Sequence, residues 1–331
     1  MLEIKMSLQI ADTVKFGVQG MCLPRDPAQT NWEPDLKNCS ELLTILENYG
    51  FDSFWSGDHI AFVSPIVDPL TLIAWASAKA PSLEFGTAIY LLPLRHPVPV
   101  AKQIACLDQI CEGKFTFGVG VGGEYEKEFE ACGVNVSDRG ARLTDSLHVI
   151  KKLWSGEKVS HSGISANFTD LKLEPTPYKL KQPPIWAGGR SKAALKRAAK
   201  LCDGYISYVV TPEMFAKSIK MIEEFYLEEN SEERSFDTAH HIFVRLDNEY
   251  EKSFDLASEQ LSQRYGMDFS GPTKKYVALG PKENVTSFFS DFIDSGVRNF
   301  VIDFAGPENQ RNEQAEIFGS EVLPLLREIN V

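Results

Sequence analysis

Short apolar runs suited to strands alternate with helical repeats along the whole chain, and this alternation limits the possible folds more than any other feature. Strands are expected at residues 15–20, 51–55, 83–92, 114–121, 184–187, 204–210, 240–246 and 297–304. Helices are expected over 35–48, 68–80, 97–111, 139–154, 191–201, 212–227, 252–265, 283–294 and 308–328. Leu36, Cys39, Leu43 and Leu46 recur at helical spacing before Gly50, and Pro69 and Pro81 bracket the next helix. The run at 83–92 is almost unbroken apolar, as a parallel strand covered on both faces requires. Eight such units in 331 residues, without a break in composition, fit one α/β domain over residues 1–331, a (β/α)8 TIM barrel. An open doubly wound sheet gives the same alternation and is the competing architecture. Residues 155–183 read as an insertion holding a small hairpin, and 266–280 as irregular.

A barrel places its chemistry at the carboxyl ends of its strands, so the residues just past each strand carry the functional reading. Asp58 and His59 follow the second strand; His59 is a candidate to bond a cofactor or handle a proton, or is simply locked by Asp58. Gly118, Gly120 and Gly123 fit GxGxxG, but several strand units precede them and Glu124-Tyr125-Glu126 follows, so a dinucleotide fingerprint is weakly supported. Gly188-Gly189-Arg190-Ser191 lies between a strand and a helix. This is either a phosphate cradle or an ordinary tight turn with a serine cap. Arg139 and Arg142 share one face of a helix start and can face an anion, or pair with Asp138 and Asp145. Arg95 and His96 read as a structural charge and a helix-start hydrogen bonder. Trp32, Phe54, Trp55 and Tyr90 are candidates to wall a stacking pocket, or core residues.

The formal charge of −12 argues against nonspecific nucleic-acid or anionic-membrane binding. Residues 1–14 lack a signal-peptide pattern, and no segment reads as membrane-spanning. The six scattered cysteines form no CxxC pair, which suits a reduced cytoplasmic setting. No Ser-His-Asp, Cys-His or metal-ligand spacing emerges, so no metal site is expected.

One resemblance joins these features. The run Glu84-Phe85-Gly86-Thr87-Ala88-Ile89, then Pro93-Leu94-Arg95-His96-Pro97, Ala101-Lys102-Gln103 and Leu107-Asp108, resembles the bacterial luciferase-like flavin or deazaflavin oxidoreductases. Gly113-Lys114-Phe115, the glycine run 118–123, Glu128-Phe129, Arg139-Gly140-Ala141-Arg142, Leu153-Trp154 and the segment 184–191 extend the likeness over residues 15–305. The resemblance implies a usually dimeric barrel binding FMN or coenzyme F420 at the strand ends. It implies a cis Ala88–Ile89 peptide propping the ring, with His59 near the ring and Gly120, Gly122 and Gly123 beside it. Gly188, Gly189, Arg190 and Ser191 would lie at the phosphate end. Asp58 and Arg139 join the cofactor-binding set, and His59 is the catalytic candidate. Where Gly123 stands many relatives carry Trp, and Glu124 is offset from a catalytic Glu of some F420 members.

The first functional expectation is an FMN-dependent monooxygenase that oxygenates a small organic substrate with O2, taking reduced FMN from a separate flavin reductase. F420-dependent hydride transfer is the alternative. A non-enzymatic flavin binder is a third reading, and an open pocket lined by His59 and Tyr90 would distinguish an enzyme from it.

Overall fold

The computed structural model describes residues 7–20, 32–62, 64–228 and 232–329. Part of residues 1–14, most of residues 24–34, Cys22 and part of residues 228–233 lie outside the described residues. Eight parallel strands form a closed barrel: β1 (Lys15–Gln19), β2 (Ser53–Ser56), β3 (Glu84–Thr87), β4 (Phe115–Val119), β5 (Ile185–Gly188), β6 (Gly204–Tyr208), β7 (Asp237–Leu246) and β8 (Asn299–Phe304). Each pairs with its neighbours in sequence. The ring closes where β8 meets β1, with Asn299 opposite Lys15.

Around it run α1 (Leu36–Asn48), α2 (Pro69–Lys79), α3 (Pro97–Ile110), α4 (Glu126–Ala131), α5 (Arg139–Leu153), α6 (Lys192–Leu201), α7 (Pro212–Leu227), α8 (Tyr250–Tyr265), α9 (Ser270–Tyr276), α10 (Lys282–Asp294) and α11 (Arg311–Ile317). Their starts follow from local chemistry. Asp35, Asp68, Ser191 and Thr211 each accept a backbone N–H of the first turn, and Pro69 and Pro212 occupy positions with no N–H to satisfy.

Strand alternation divides the core into two layers. Phe16, Phe54, Phe85, Phe117, Ile185 and Phe300 pack outward in the main cluster with the helices. Trp55, Trp186, Ile206, Ala239 and Val301 point inward with Ala88 and form a separate cluster that fills the lumen. The two indoles stack with ring centroids 5.0 Å apart. They fit because glycines stand where side chains would collide: a Cβ on Gly86 would lie 2.1 Å from the Trp55 ring.

Three expected elements differ in detail. The run at 83–92 stops as a strand at Thr87; a cis Ala88–Ile89 peptide follows, Tyr90 bridges Val119, and Leu92–Leu94 forms a 3-10 turn. Its later residues are apolar because Tyr90, Leu91 and Leu92 are buried, not because the strand continues. Residues 266–280 hold α9 and a strand, Val277–Gly280, that pairs with the end of β7. The closing helix is interrupted by a π turn at Phe318–Val322, just before Pro324, which has no N–H to donate. In segment 155–183 an antiparallel hairpin pairs Val159–Ser162 with Asn167–Leu171. Among the described residues, no helix is long and apolar enough to cross a membrane.

Candidate active site

The carboxyl ends of the strands surround a cavity of about 830 Å³, lined by Gln19, His59, Ile89, Gly188, Tyr208 and Asp303 among others. These six come from β1, the loop after β2, the segment after β3, and the ends of β5, β6 and β8. Residues remote in sequence therefore converge on one volume.

On one side stands His59. Its Nδ1 lies 3.0 Å from the Oε1 of Glu128, a fully buried side chain on α4. The other carboxylate oxygen of Glu128 accepts the Ile60 N–H at 3.1 Å, which ties the loop after β2 to α4. The imidazole also stacks on Phe62, with centroids 4.1 Å apart. A neutral His59 that donates from Nδ1 to this carboxylate presents Nε2 as an acceptor. His59 is thus held by Glu128 and not by Asp58.

Asp58 has other partners. Both its oxygens accept from the Arg95 guanidinium, and Oδ2 also accepts the Leu91 N–H at 2.8 Å. Arg95 lies 4.4 Å above the Tyr90 ring. This buried pair joins the loop after β2 to the segment after β3, which carries Ala88 and Ile89. Arg95 is thus the structural charge that the sequence suggests, and His96 caps α3 by accepting the Val98 N–H.

The Ala88–Ile89 peptide is cis. The Ile89 side chain occupies the space left by two glycines: a Cβ on Gly120 would lie 1.9 Å from Ile89 Cδ1, and one on Gly188 would lie 2.9 Å from it. The ends of β3, β4 and β5 therefore close around one side chain, with the Ala88–Ile89 backbone on the cavity wall. Gly122, Gly188, Gly189 and Arg190 also line the cavity. Gly189 has φ +122°, a region that favours glycine, and Arg190 is exposed with one donor on the Val209 carbonyl at 3.1 Å. Ser191 caps α6 by accepting the Ala194 N–H at 3.2 Å, which is the ordinary structural reading of that serine.

Gly120 and Gly123 sit behind the cavity wall, and Arg139 covers Gly123 while donating to the Val136 carbonyl at 2.7 Å. Arg142 donates to the Pro93 carbonyl. Among the described residues neither arginine pairs with Asp138 or Asp145, and Asp145 instead holds His161 and Ser165. Of the aromatic candidates, Trp32 lines the cavity, whereas Phe54 and Tyr90 are core residues and Trp55 fills the lumen.

A second wall escapes sequence reading. Asp303 at the end of β8 accepts from Arg264 of α8 at 2.7 Å, and His241 of β7 places Nε2 3.5 Å from the same carboxylate. Burial pushes the Asp303 carboxyl up, but Arg264 and His241 outweigh it and hold it well below the usual range. The hydroxyls of Tyr208 and Tyr265 hydrogen-bond to each other beside this group. The available signals were a charge inside the apolar strand sequence Phe300-Val301-Ile302-Asp303-Phe304 and a histidine pair, His240-His241, within β7.

Comparison with known proteins agrees with this architecture. The chain is 22% identical to the alkanal monooxygenase alpha chain of a Kryptophanaron alfredi symbiont, over 95% of this chain and 99% of that protein. It is 24% identical to an F420-dependent glucose-6-phosphate dehydrogenase of Kineococcus radiotolerans, over 85% of this chain and 90% of that one. Among solved structures, an F420-dependent secondary alcohol dehydrogenase in complex with an F420-acetone adduct superposes with a TM-score of 0.81 at 19% identity, covering 96% of this chain and all of the other. The family model described as luciferase-like monooxygenase matches residues 15–310, from the first strand past the last. The closed barrel, its cavity at the strand ends and this match together make the chain a member of the luciferase-like monooxygenase family, an oxidoreductase that binds a flavin or deazaflavin.

Proposed function

We propose that this chain is the oxygenase of an FMN-dependent monooxygenase that acts on a small organic substrate. The observation that carries this reading is His59, fixed by buried Glu128 on the wall of the cavity that the Ala88–Ile89 backbone also lines. When bound in its reduced form, FMN supplies the two electrons that let one oxygen atom of O2 enter the substrate and the other leave as water. The residues present suit that cofactor. Gly188 and Gly189 line the cavity, and exposed Arg190 beside them offers a charged donor to a phosphate group.

In this reading Gly122, Ala88 and Ile89 flank the ring system, with Gly120 and Gly123 shaping the wall behind them. His59 takes or returns a proton at Nε2, and Glu128 keeps that nitrogen turned towards the cavity. Asp58, through Arg95, positions the loop that carries His59, and Arg139 braces Gly123; neither needs to touch the cofactor. Reduced FMN comes from a separate reductase, and the working form is a homodimer of one barrel domain per chain, with 155–183 as an insertion.

The likeness to an F420-dependent dehydrogenase supports the second reading, hydride transfer by coenzyme F420. Titration of the purified protein with FMN and with F420, followed by single turnovers with and without O2, separates the two. FMN binding with oxygen-dependent product is expected. Tight F420 binding with oxygen-independent substrate reduction would overturn the proposal.

A further inference from the structure

Two buried indoles form the floor of the cavity. Trp55 and Trp186 stack with ring centroids 5.0 Å and planes 25° apart. They pack in one cluster with Ala88, Ile89 and Ile206, and these three residues themselves line the cavity. One layer of side chains therefore separates the pair from a ring bound above it. Indole is among the side chains that give up an electron most readily. A positive charge left on one indole is stabilised by the π face of the other.

The hydrogen bonds of the buried indoles differ in kind. Trp55 Nε1–H donates to the Ser53 hydroxyl at 2.7 Å, and Trp154 Nε1–H to the Ala101 carbonyl at 3.0 Å. Neither acceptor is a base. Trp186 Nε1–H instead donates to the Asp237 carboxylate at 3.0 Å, and among the described residues no other indole meets a carboxylate. Burial pushes the Asp237 carboxyl up, against the pull of the Trp186 bond and of Lys15, so it holds a proton more readily than an exposed aspartate. Asp237 opens β7 opposite Gly204, at the amino end of the barrel and away from the cavity. Loss of one electron turns the indole N–H from a very weak acid into a strong one. A base already on that N–H then takes the proton, and the electron cannot return alone.

We propose that the Trp55–Trp186 pair is a one-electron donor to the ring bound in the cavity, with Asp237 accepting the Trp186 proton. The oxidant is the oxidised flavin or deazaflavin ring after it absorbs light. One electron passes from the indole pair to that ring, the Trp186 N–H bond breaks, and its proton forms an O–H bond on Asp237. Return of the electron and the proton restores every group. This inference rests on a flavin-type ring being bound, and not on whether the dark reaction is oxygenation or hydride transfer. It gives the protein a light-driven activity that drains the excited ring before the ring attacks its surroundings.

Trp32 also lines the cavity, so the test is made in Trp32→Phe. That protein is loaded with FMN, or with F420 where titration shows that FMN does not bind. It is flashed without O2, at a wavelength the ring alone absorbs, while ring emission and transient absorption are recorded. Quenched emission and the absorption of the neutral tryptophanyl radical are expected. Adding Trp186→Phe should lengthen the emission lifetime several-fold and abolish the radical. Asp237→Asn keeps an oxygen for the N–H, so quenching should persist while the radical stays cationic and recombines faster. Circular dichroism and ring titration check that each variant is intact. Absence of a tryptophan radical in the loaded parent, an unchanged signal in Trp186→Phe, or an unchanged radical form in Asp237→Asn overturns the assignment. Failure of FMN to bind, with the Trp186-dependent radical formed from F420, sinks the FMN reading and leaves the electron donor standing.

Discussion

At the scale of single residues, the site depends on contacts between positions far apart in sequence. His59 was legible because it follows a strand end, but its partner Glu128 lies 69 positions away on a helix that periodicity does not announce. Asp58 was legible as a site residue, whereas its bond to Arg95 depends on how β2 and β3 lie side by side. His59→Gln should leave folding and most FMN binding intact and lower coupled turnover by about 10²–10⁴-fold, if the residue handles a proton. Glu128→Gln should act in the same direction by a smaller factor, since the amide can still anchor the loop. The assay counts oxygenated product separately from hydrogen peroxide; unchanged coupled turnover in His59→Gln removes it from the mechanism. At the opposite end, Arg190→Ala should weaken FMN by about 10- to 100-fold and riboflavin hardly at all, because only FMN brings the phosphate. Equal losses for both ligands would mean that Arg190 does not hold it.

At the scale of elements, strand positions were the most readable part of the chain, because aromatic and β-branched runs between helix caps mark them. Where a strand ends was less readable. Leu91 and Leu92 are as apolar as the strand before them, yet past the Tyr90–Val119 bridge they turn under the Arg95–Asp58 pair and leave the sheet. The packing of the lumen was not readable either, since it depends on Trp55 reaching across to Gly86 on the neighbouring strand and to Trp186 on β5. That arrangement predicts a specific coupling. Gly86→Ala puts a methyl group 2.1 Å from the Trp55 ring and should cost about 1–3 kcal/mol by overpacking. Trp55→Leu alone should also destabilise, by leaving a cavity and losing the 2.7 Å bond from the indole to Ser53. The double variant should be more stable than the sum of the two losses predicts, because the leucine vacates the space that the methyl needs. Strict additivity in urea unfolding would show that the two positions do not compete for that volume.

At the scale of the whole molecule, local patterns allow either an open sheet or a barrel, and long-range pairing decides between them. β8 meets β1, and β6 meets β7 along Asp237–His241, where Ser207 and His240 stand opposite each other. His240 Nδ1 lies 2.8 Å from the Ser207 hydroxyl, and its ring stacks on Phe292 of α10 at 4.1 Å. A titratable group is thereby sealed between the barrel and its helical layer. Burial, with a smaller contribution from the neighbouring His241, pulls its pKa down to about 3. In the unfolded chain the same imidazole titrates near about 6.5, so between these values the unfolded state binds the additional proton. The sign follows directly: stability rises with pH across this window, and on acidification it falls by up to about 1.4 kcal/mol per pH unit from this residue alone. The interval from about pH 5 to 6 isolates the effect, since most carboxylates titrate lower. The comparison is with a variant and not with a theoretical slope, because other groups also contribute to the pH dependence. Urea unfolding of wild type and His240→Gln across that interval should show a shallower pH dependence in the variant, by nearly one proton. Parallel pH profiles would mean that His240 can charge while the strand seam stays closed.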